Sequence, residues 1–205
     1  MGKLEANKQQ KLTSLLNTAF NLFTTQGVTK TSIAEISQKA GIAKGTFYLY
    51  FKDKYDIRNR LISHESSKLF KNAVADLEEF SIEKDEQIGF EEKIIFIINH
   101  IVDELNSNQT LLTFISKNLS WGIFKEALTT KVASDDINFK DVYYEMINAE
   151  DISLEEPEIM LFLIVELVSS TCYSAILYKE PADIDTIKPY LFKTVRAIIR
   201  EHTIQ

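Results

Sequence analysis

The segment from Thr31 to Phe51 contains residues whose types and spacing suit a defined chemical task. It reads TSIAEISQKAGIAKGTFYLYF. Apolar residues recur at three- and four-residue intervals on both sides of Gly41, which predicts two short helices joined by a tight turn. After Gly41, the residues that fall outside this apolar set and are left to project outward are Lys44, Thr46, Tyr48 and Tyr50. Side chains of these types bind phosphate oxygens and base edges, so the pattern indicates a helix-turn-helix that contacts duplex DNA.

The helices that must position this segment have recognisable start and stop signals. Apolar residues mark one face of a first helix, expected from about Lys8 to Gln26 and capped by Gly27. Ser32, with Glu35 three residues later, forms a capping box for the second helix. The third helix is expected over about 44–50. Asp53 is a suitable N-cap for a fourth helix that ends near residue 79 and precedes a polar loop over 81–89.

The apolar residues of this region are expected to form a small core behind the exposed polar set. The residues assigned to that core are Ile33, Ile36, Ile42, Phe47 and Phe51. Ser37 is small and lies four residues before Gly41, where the two helices come close. A major-groove helix presents its N-terminal residues to base edges, so the outward-facing side chains are the expected DNA contacts.

The same residues resemble the TetR family of bacterial regulators. The resemblance covers roughly Ala19 to Ile57 and rests on Ala19, Leu22-Phe23, Gly27, Thr31-Ser32-Ile33, Ile36, Ala40-Gly41-Ile42, Lys44-Gly45-Thr46-Phe47-Tyr48, Tyr50-Phe51 and Lys54. It implies an all-helical two-fold dimer with a DNA-reading head and a ligand-responsive C-terminal domain. The DNA contacts that the resemblance implies are Ser32, Lys44, Gly45, Thr46, Tyr48, Tyr50 and Lys54. Two positions depart from the family pattern: Ser37 stands where alanine is usual, and Tyr55 where an acidic residue is common.

Charge is divided unevenly along the chain of 205 residues, whose formal net charge is −7. Residues 1–60 hold ten Lys/Arg against four Asp/Glu, a net +6, whereas residues 61–205 hold thirteen against twenty-six, a net −13. A basic head on an acidic body is consistent with nucleic acid as a partner. The lone cysteine, Cys172, excludes an intrachain disulfide, and the N-terminus lacks an apolar signal core. We therefore expect a cytoplasmic protein.

Helical periodicity continues beyond the head, so the predicted fold class is all-α. We expect a three-helix DNA-binding head over 1–52 and a larger helical ligand-binding and dimerisation domain over 53–205. Further helices are expected over about 90–107, 109–119, 122–133, 136–149, 154–178 and 185–201. Pro157 suits the first turn of its helix, where its missing amide does no harm.

The C-terminal region is rich in aromatic side chains, which line ligand cavities between helices as readily as they form a core. We expect a mostly apolar or aromatic small-molecule effector. The residues predicted to contact it are His100, Phe114, Asn118, Trp121, Tyr144, Phe162, Glu166, Ser170 and Tyr173. Glu166 is notable because a buried carboxylate needs a partner. We expect a cationic ligand group or a basic residue of the last helix to supply it.

The last two helices are expected to form the dimer as a four-helix bundle. Small residues between Ser169 and Ala175 would allow close approach. The apolar area would come from Val165, Val168, Ile187, Leu191, Val195 and Ile198. The stretch 159–178 has one charge, Glu166, and is long enough to span a membrane. No basic flank or aromatic belt accompanies it, so burial against protein on two sides is the preferred interpretation.

The pattern favours a DNA-binding regulator, most simply a repressor, over an enzyme. His64, His100 and His202 show no metal-ligand spacing, and the chain has no glycine-rich phosphate loop. We therefore expect no catalytic residues, no cofactor and no metal centre. The operator is expected to be a pseudo-palindrome in double-stranded DNA. A helical protein that organises DNA or binds partners without a small-molecule effector stays open as the alternative.

Overall fold

The computed structural model describes residues 3–84, 88–118, 138–150 and 152–204. Within these ranges the protein is helical and contains no strand, which confirms the all-α prediction. The described helices are α1 (Lys3–Gln26), α2 (Ile33–Lys39), α3 (Lys44–Phe47), α4 (Lys54–Lys84), α5 (Phe90–Ser107), α6 (Gln109–Asn118), α7 (Phe139–Asn148), α8 (Pro157–Leu177) and α9 (Ile184–His202).

Several predicted helix ends are confirmed, and others differ from the structure. Ser32 and Asp53 act as the expected N-caps, and α5 has its predicted bounds. Helix α1 begins five residues earlier than expected, because residues 3–8 are mostly good helix formers without a breaker. The predicted loop over 81–89 is wrong in part, since α4 continues to Lys84. Helix α3 ends at Phe47, and a turn replaces its predicted last three residues. The helix predicted over 122–133 lies outside the described residues.

The described part of the chain divides into two compact units, one up to Ser66 and the other over Ser67–Lys117 and 138–204. In the first unit, α1 contacts α2 and α2 contacts α3. Its core includes residues with almost no exposed surface: Leu15, Leu16, Ala19, Ile36, Phe47, Phe51, Ile57, Leu61 and Ile62. The hydroxyl of Ser14 donates to the carbonyl of Ala40 at 3.1 Å and links α1 to the end of α2.

In the second unit, α8 and α9 pack along each other and both contact α5. Arg196 and Arg200 of α9 hold Glu91 near the start of α5, with Arg196 Nη1 at 2.8 Å and Arg200 Nε at 2.8 Å from its carboxylate oxygens. These guanidinium groups, Arg200 foremost, lower the pKa of Glu91. Glu150 accepts a hydrogen bond from the amide of Phe90 at 2.5 Å and therefore caps α5, where Gly89 has no side chain to do so.

Helix α8 is apolar on nearly all sides. Among the described helices it is the one long and apolar enough to cross a membrane, and 28% of its apolar window is buried within the chain. Ile159, Leu163 and Tyr178 are 50%, 42% and 58% exposed. Of the residues expected to supply apolar area to a dimer, Leu191 and Val195 are buried within their own chain, so that part of the prediction is wrong.

Candidate nucleic-acid interface

The start of α2 is fixed by the side chain of Ser32. Its hydroxyl accepts a hydrogen bond from the amide of Glu35 at 3.1 Å, which confirms Ser32 as the N-cap. Gln26 at the end of α1 donates to the carboxylate of Glu35 at 2.8 Å. The bond from Gln26 foremost lowers the pKa of Glu35. Glu35 therefore also ties α2 to α1.

The turn between α2 and α3 depends on a left-handed residue. Gly41 has φ +68°, a conformation that side chains with a Cβ rarely adopt. A Cβ at this position would meet no atom within 4 Å, so glycine is required for its backbone angle rather than for space. The amide of Ile42 donates to the carbonyl of Ser37 at 2.9 Å and closes the turn. Ser37 is buried as expected, with a hydroxyl that lacks a hydrogen-bond partner among the described residues.

Helix α3 and the turn after it have a buried side and an exposed side. Phe47 and Phe51 are buried, with ring centroids 5.5 Å apart. Lys44 and Gly45 are exposed, and Tyr48 is 52% exposed. The inward orientation predicted for Phe47 and Phe51 and the outward orientation predicted for Lys44 and Tyr48 are confirmed. Because the aromatic pair anchors the segment from behind, the outer side chains are held against a rigid support.

Other residues of the expected DNA-contact set have mixed environments. Ser32 is exposed, but its hydroxyl is engaged as the N-cap of α2. Thr46 is half-buried beside the exposed residues of α3. Tyr50 is also half-buried, and its hydroxyl donates to the carbonyl of Lys8 in α1 at 3.3 Å. Its ring and hydroxyl therefore border the exposed surface and connect it to the first helix.

Leu49 belongs to this surface, although the sequence pattern did not single it out. It is 81% exposed, which is the largest value among the exposed large apolar residues of the described chain. Because α3 ends at Phe47, residues 48–50 form a turn and Leu49 points away from the core. An apolar side chain on such a surface can contact the methyl group of thymine. Its position depends on where α3 ends, which helical periodicity alone did not predict.

Lys54 has different partners from those expected of a phosphate-binding residue. Its ammonium donates to the carbonyls of Val28, Thr29 and Thr31 at 3.0, 2.9 and 3.2 Å. An ammonium has three protons, so three acceptors use its donor capacity. In the structure, Lys54 therefore satisfies the carbonyl groups of the turn between α1 and α2. Because these bonds engage its protons, the contact of Lys54 with the DNA backbone stays a prediction, and the structure adds a second role for this ammonium.

The residues predicted to contact an effector have different environments in the described part of the chain. His100 lies in an open cleft of about 550 Å³ between α4 and α5, with Nδ1 at 3.0 Å from Asp76 and Nε2 at 3.5 Å from Glu104. Phe114 is buried, whereas Phe162, Tyr144 and Tyr173 are half-buried. The hydroxyl of Tyr173 lies 3.0 Å from that of Tyr178. The side chain of Asn118 and the whole of Trp121 lie outside the described residues.

Glu166 and Ser170 are exposed on the surface of α8 in the single chain. The interpretation of Glu166 as a buried carboxylate is therefore wrong for the isolated chain, and it needs no buried cationic partner. Because α8 is apolar on nearly every side, its sequence did not indicate which face is turned to the core. The described residues contain no group of three or more His, Cys, Asp or Glu side chains placed to hold a metal ion.

Known proteins match this chain in sequence over its N-terminal part and in structure over nearly its full length. Residues 15–61 match the model of the family described as bacterial regulatory proteins, tetR family. The HTH-type transcriptional regulator AcrR of Shigella flexneri is 40% identical over 55 residues, which are 27% of this chain and 26% of that protein. The fatty acid metabolism regulator protein of Bacillus subtilis is 28% identical over 78 residues, 38% of this chain and 40% of that protein. The matches thus span less than half of either curated relative.

Solved structures resemble the chain over nearly its full length. A tetR-family transcription regulator from Shewanella sp. PV-4 superimposes with a TM-score of 0.63 at 15% identity, over 95% of this chain and 99% of that one. The regulator FadR from Bacillus subtilis, solved in complex with stearoyl-CoA, gives a TM-score of 0.61 at 18% identity, over 91% and 98% of the two chains. At this identity the likeness shows the fold alone, which is a helix-turn-helix head followed by a helical C-terminal domain.

Proposed function

We propose that this chain, whose head belongs to the tetR family of bacterial regulatory proteins, is a sequence-specific DNA-binding transcriptional repressor that a small molecule controls. The observation that carries the proposal is the two-sided construction of α3. Phe47 and Phe51 are buried behind it, while Lys44, Gly45 and Tyr48 are exposed in front. A basic side chain and an aromatic ring exposed at the start of one helix suit contact with phosphates and base edges.

Each exposed residue of the head has a role in the proposed complex. Lys44, at the first position of α3, donates to guanine or to a phosphate. Gly45 allows the DNA backbone to approach α3 closely, and Thr46 binds a phosphate or a thymine methyl group. Tyr48 and Tyr50 offer ring surface and hydroxyl groups to the bases and backbone at the edge of the groove. Ser32 contributes at the start of α2, where amides also favour a phosphate.

In the proposed function the protein acts as a homodimer that binds a pseudo-palindromic operator. Two recognition helices must lie about 34–36 Å apart to enter successive major grooves on one face of the duplex. The last two helices are the proposed interface because α8 exposes apolar side chains at Ile159 and Leu163, and α9 exposes Tyr190. Pairing these surfaces about a two-fold axis would bury them. We place the protein in the bacterial cytoplasm, where its DNA target lies.

An apolar or aromatic small molecule is the proposed effector, and an acyl thioester is one candidate. FadR of Bacillus subtilis, which shares this fold, was solved with stearoyl-CoA. In this chain Phe114, Phe162, Tyr144 and Tyr173 are buried or half-buried aromatic residues available to line a cavity. A ligand that prefers a conformation in which the heads are misplaced would shift the population away from the DNA-binding state.

Selection of bound duplexes from a random-sequence library tests the proposal. The wild-type protein is expected to enrich an inverted repeat whose half-sites are centred about one helical turn, or a multiple of it, apart. Addition of a long-chain acyl-CoA is then expected to release the enriched duplex. Enrichment without half-site symmetry would refute the dimeric repressor. Enrichment of the repeat with no release by any apolar or aromatic compound would instead favour a DNA-organising protein without an effector.

A further inference from the structure

The first three turns of α1 lie outside the part of the chain that matches the family model. That match begins at residue 15, whereas α1 begins at Lys3. The core contribution of α1 also begins at Leu15, with Leu12 half-buried before it. From Glu5 to Lys8 every side chain is exposed, as are those of Gln10 and Lys11. From Glu5 onward the extension therefore has no fully buried side chain before Leu15, although it continues the helix.

Lys8 lies on the same face of α1 as the buried residues, at the point where that face becomes exposed to solvent. Counting back from Ala19 and Leu15 by the same three- and four-residue steps leads through Leu12 to Lys8. The row thus changes from fully buried at Leu15, through half-buried at Leu12, to an exposed lysine. The side chain of Lys8 consequently shares the face of α1 that is turned toward the rest of the head, one turn beyond its core.

A hydrogen bond fixes this extension to the end of the proposed DNA-reading segment. The hydroxyl of Tyr50 donates to the carbonyl of Lys8 at 3.3 Å. Tyr50 follows the exposed residues Tyr48 and Leu49 directly in the chain. The Lys8 backbone is therefore in contact with a residue of the recognition surface, and the extension forms the continuation of that surface on the α1 side.

The lysine side chains of the extension have no ion-pair partner among the described residues, whereas several other basic side chains of the head form ion pairs or hydrogen bonds within the chain. Lys39 pairs with Glu35 at 3.3 Å, and Arg60 pairs with Asp56 at 3.0 Å. The ammonium of Lys54 is used by three carbonyls. Within the described part of the chain, Lys8 and Lys11 have no carboxylate partner. Positive charge is thus left uncompensated beside Tyr50, at the edge of the surface proposed to face a polyanion.

From these observations we infer that the N-terminal extension of α1 is a third DNA-contacting element, in which Lys8 and Lys11 bind backbone phosphates next to the segment read by α3. The inference rests on the proposed function and adds a contact that lies outside the helix-turn-helix. Phosphate contacts of this kind are independent of base sequence, so they raise affinity and fix register without changing which operator is preferred.

Salt dependence of binding to a 30-base-pair duplex of mixed sequence tests the inference, measured by fluorescence anisotropy between 50 and 200 mM NaCl. Each phosphate contact contributes about −0.9 to the slope of log K against log salt. The double variant K8Q/K11Q is expected to reduce the magnitude of the slope by about 1.8 for each bound head. The matched control K179Q/K193Q removes two exposed lysines of the other compact unit and is expected to retain the wild-type slope.

The outcomes separate the inference from the function on which it rests. A wild-type protein that binds the duplex, together with a K8Q/K11Q variant of unchanged slope, overturns the inference and leaves the proposed function standing. A wild-type protein that does not bind at 50 mM NaCl overturns both. The variant Y50F removes the hydroxyl that holds the Lys8 backbone. Because this hydroxyl is uncharged, its loss is expected to reduce the slope only through the displaced cations of the extension. An unchanged slope in Y50F overturns the role assigned to that hydrogen bond.

Discussion

Replacement of Lys54 by methionine separates two roles that the sequence alone could not distinguish. Methionine is unbranched and favours the helix, so the change removes the ammonium with little effect on α4 itself. The three hydrogen bonds to the carbonyls of Val28, Thr29 and Thr31 are lost together. These carbonyls belong to the turn that joins α1 to α2, so the head is expected to become less stable.

The expected loss is about 1.5–3 kcal/mol for the ammonium as a whole, the range for hydrogen bonds to a charged group. The loss is not three times larger, because one charge serves all three carbonyls and the exposed carbonyl of Thr29 regains water. A loss of this size raises the population of the opened head about 10- to 150-fold. Amide hydrogen exchange of α1 and α2 in the full chain measures that population directly.

The same variant is expected to keep the wild-type salt dependence of DNA binding, because its ammonium is already occupied. Lys52→Met is the matched control: it removes an exposed lysine two residues earlier and is expected to leave exchange in α1 and α2 unchanged. Unchanged exchange in Lys54→Met, combined with a salt slope reduced by about 0.9 per bound head, would refute this reasoning. That result would show that the ammonium of Lys54 binds a phosphate of the DNA backbone instead.

Four further changes have defined outcomes. Gly45→Ala is expected to keep or raise the stability of the head, by up to about 1 kcal/mol in hydrogen exchange, because a Cβ there meets no atom of the chain within 4 Å. The same variant is expected to weaken DNA binding, and an unchanged affinity would exclude close approach of DNA at this glycine. Tyr48→Ala is expected to cost roughly 1–3 kcal/mol in anisotropy titrations of the selected operator and little on mixed-sequence duplex; equal losses on both would argue against base readout. Glu150→Ala removes the acceptor of the Phe90 amide and of Lys93, so thermal unfolding should show a loss of about 2–3 kcal/mol, whereas an unchanged midpoint would show that water caps α5 equally well. Hydrogen bonds from the amides of Asp56 and Tyr55 hold the pKa of the Asp53 carboxyl below its ordinary 3.8. The stabilisation of the head by the Asp53 carboxylate is therefore complete above pH 3.8 and is lost as pH falls through the lower pKa of the folded state. In an acid titration, Asp53→Asn should lose less head stability than the wild type, and identical profiles would contradict the capping role.

Local signals explain why the head could be predicted closely. Ser32, Asp53 and Gly41 act through hydrogen bonds and backbone angles that involve residues only a few positions away. The burial of Phe47 and Phe51 follows from their helical spacing. Such features depend little on the rest of the fold, so residue type and spacing are sufficient to indicate them.

Contacts between segments distant in sequence explain what could not be predicted. Lys54 meets carbonyls 23 to 26 residues away, and Tyr50 meets a carbonyl 42 residues away, so neither partner is visible in the local pattern. Glu166 was misjudged for a different reason. The sequence of α8 is apolar around its whole circumference, so tertiary packing alone decides that Met160 and Ile164 face inward while Glu166 is exposed.

The central claim is that the exposed side of α3 lies against duplex DNA in each subunit of a dimer. Cysteine-directed hydroxyl-radical cleavage tests it, with an iron chelate attached at Lys52→Cys beside that surface. The native Cys172 does not interfere, because burial raises the pKa of its thiol to about 12 and it has no exposed surface. On the selected operator we expect two clusters of strand breaks, one per half-site, separated by about one helical turn or a multiple of it. Cleavage no stronger than that of free chelate would contradict the claim.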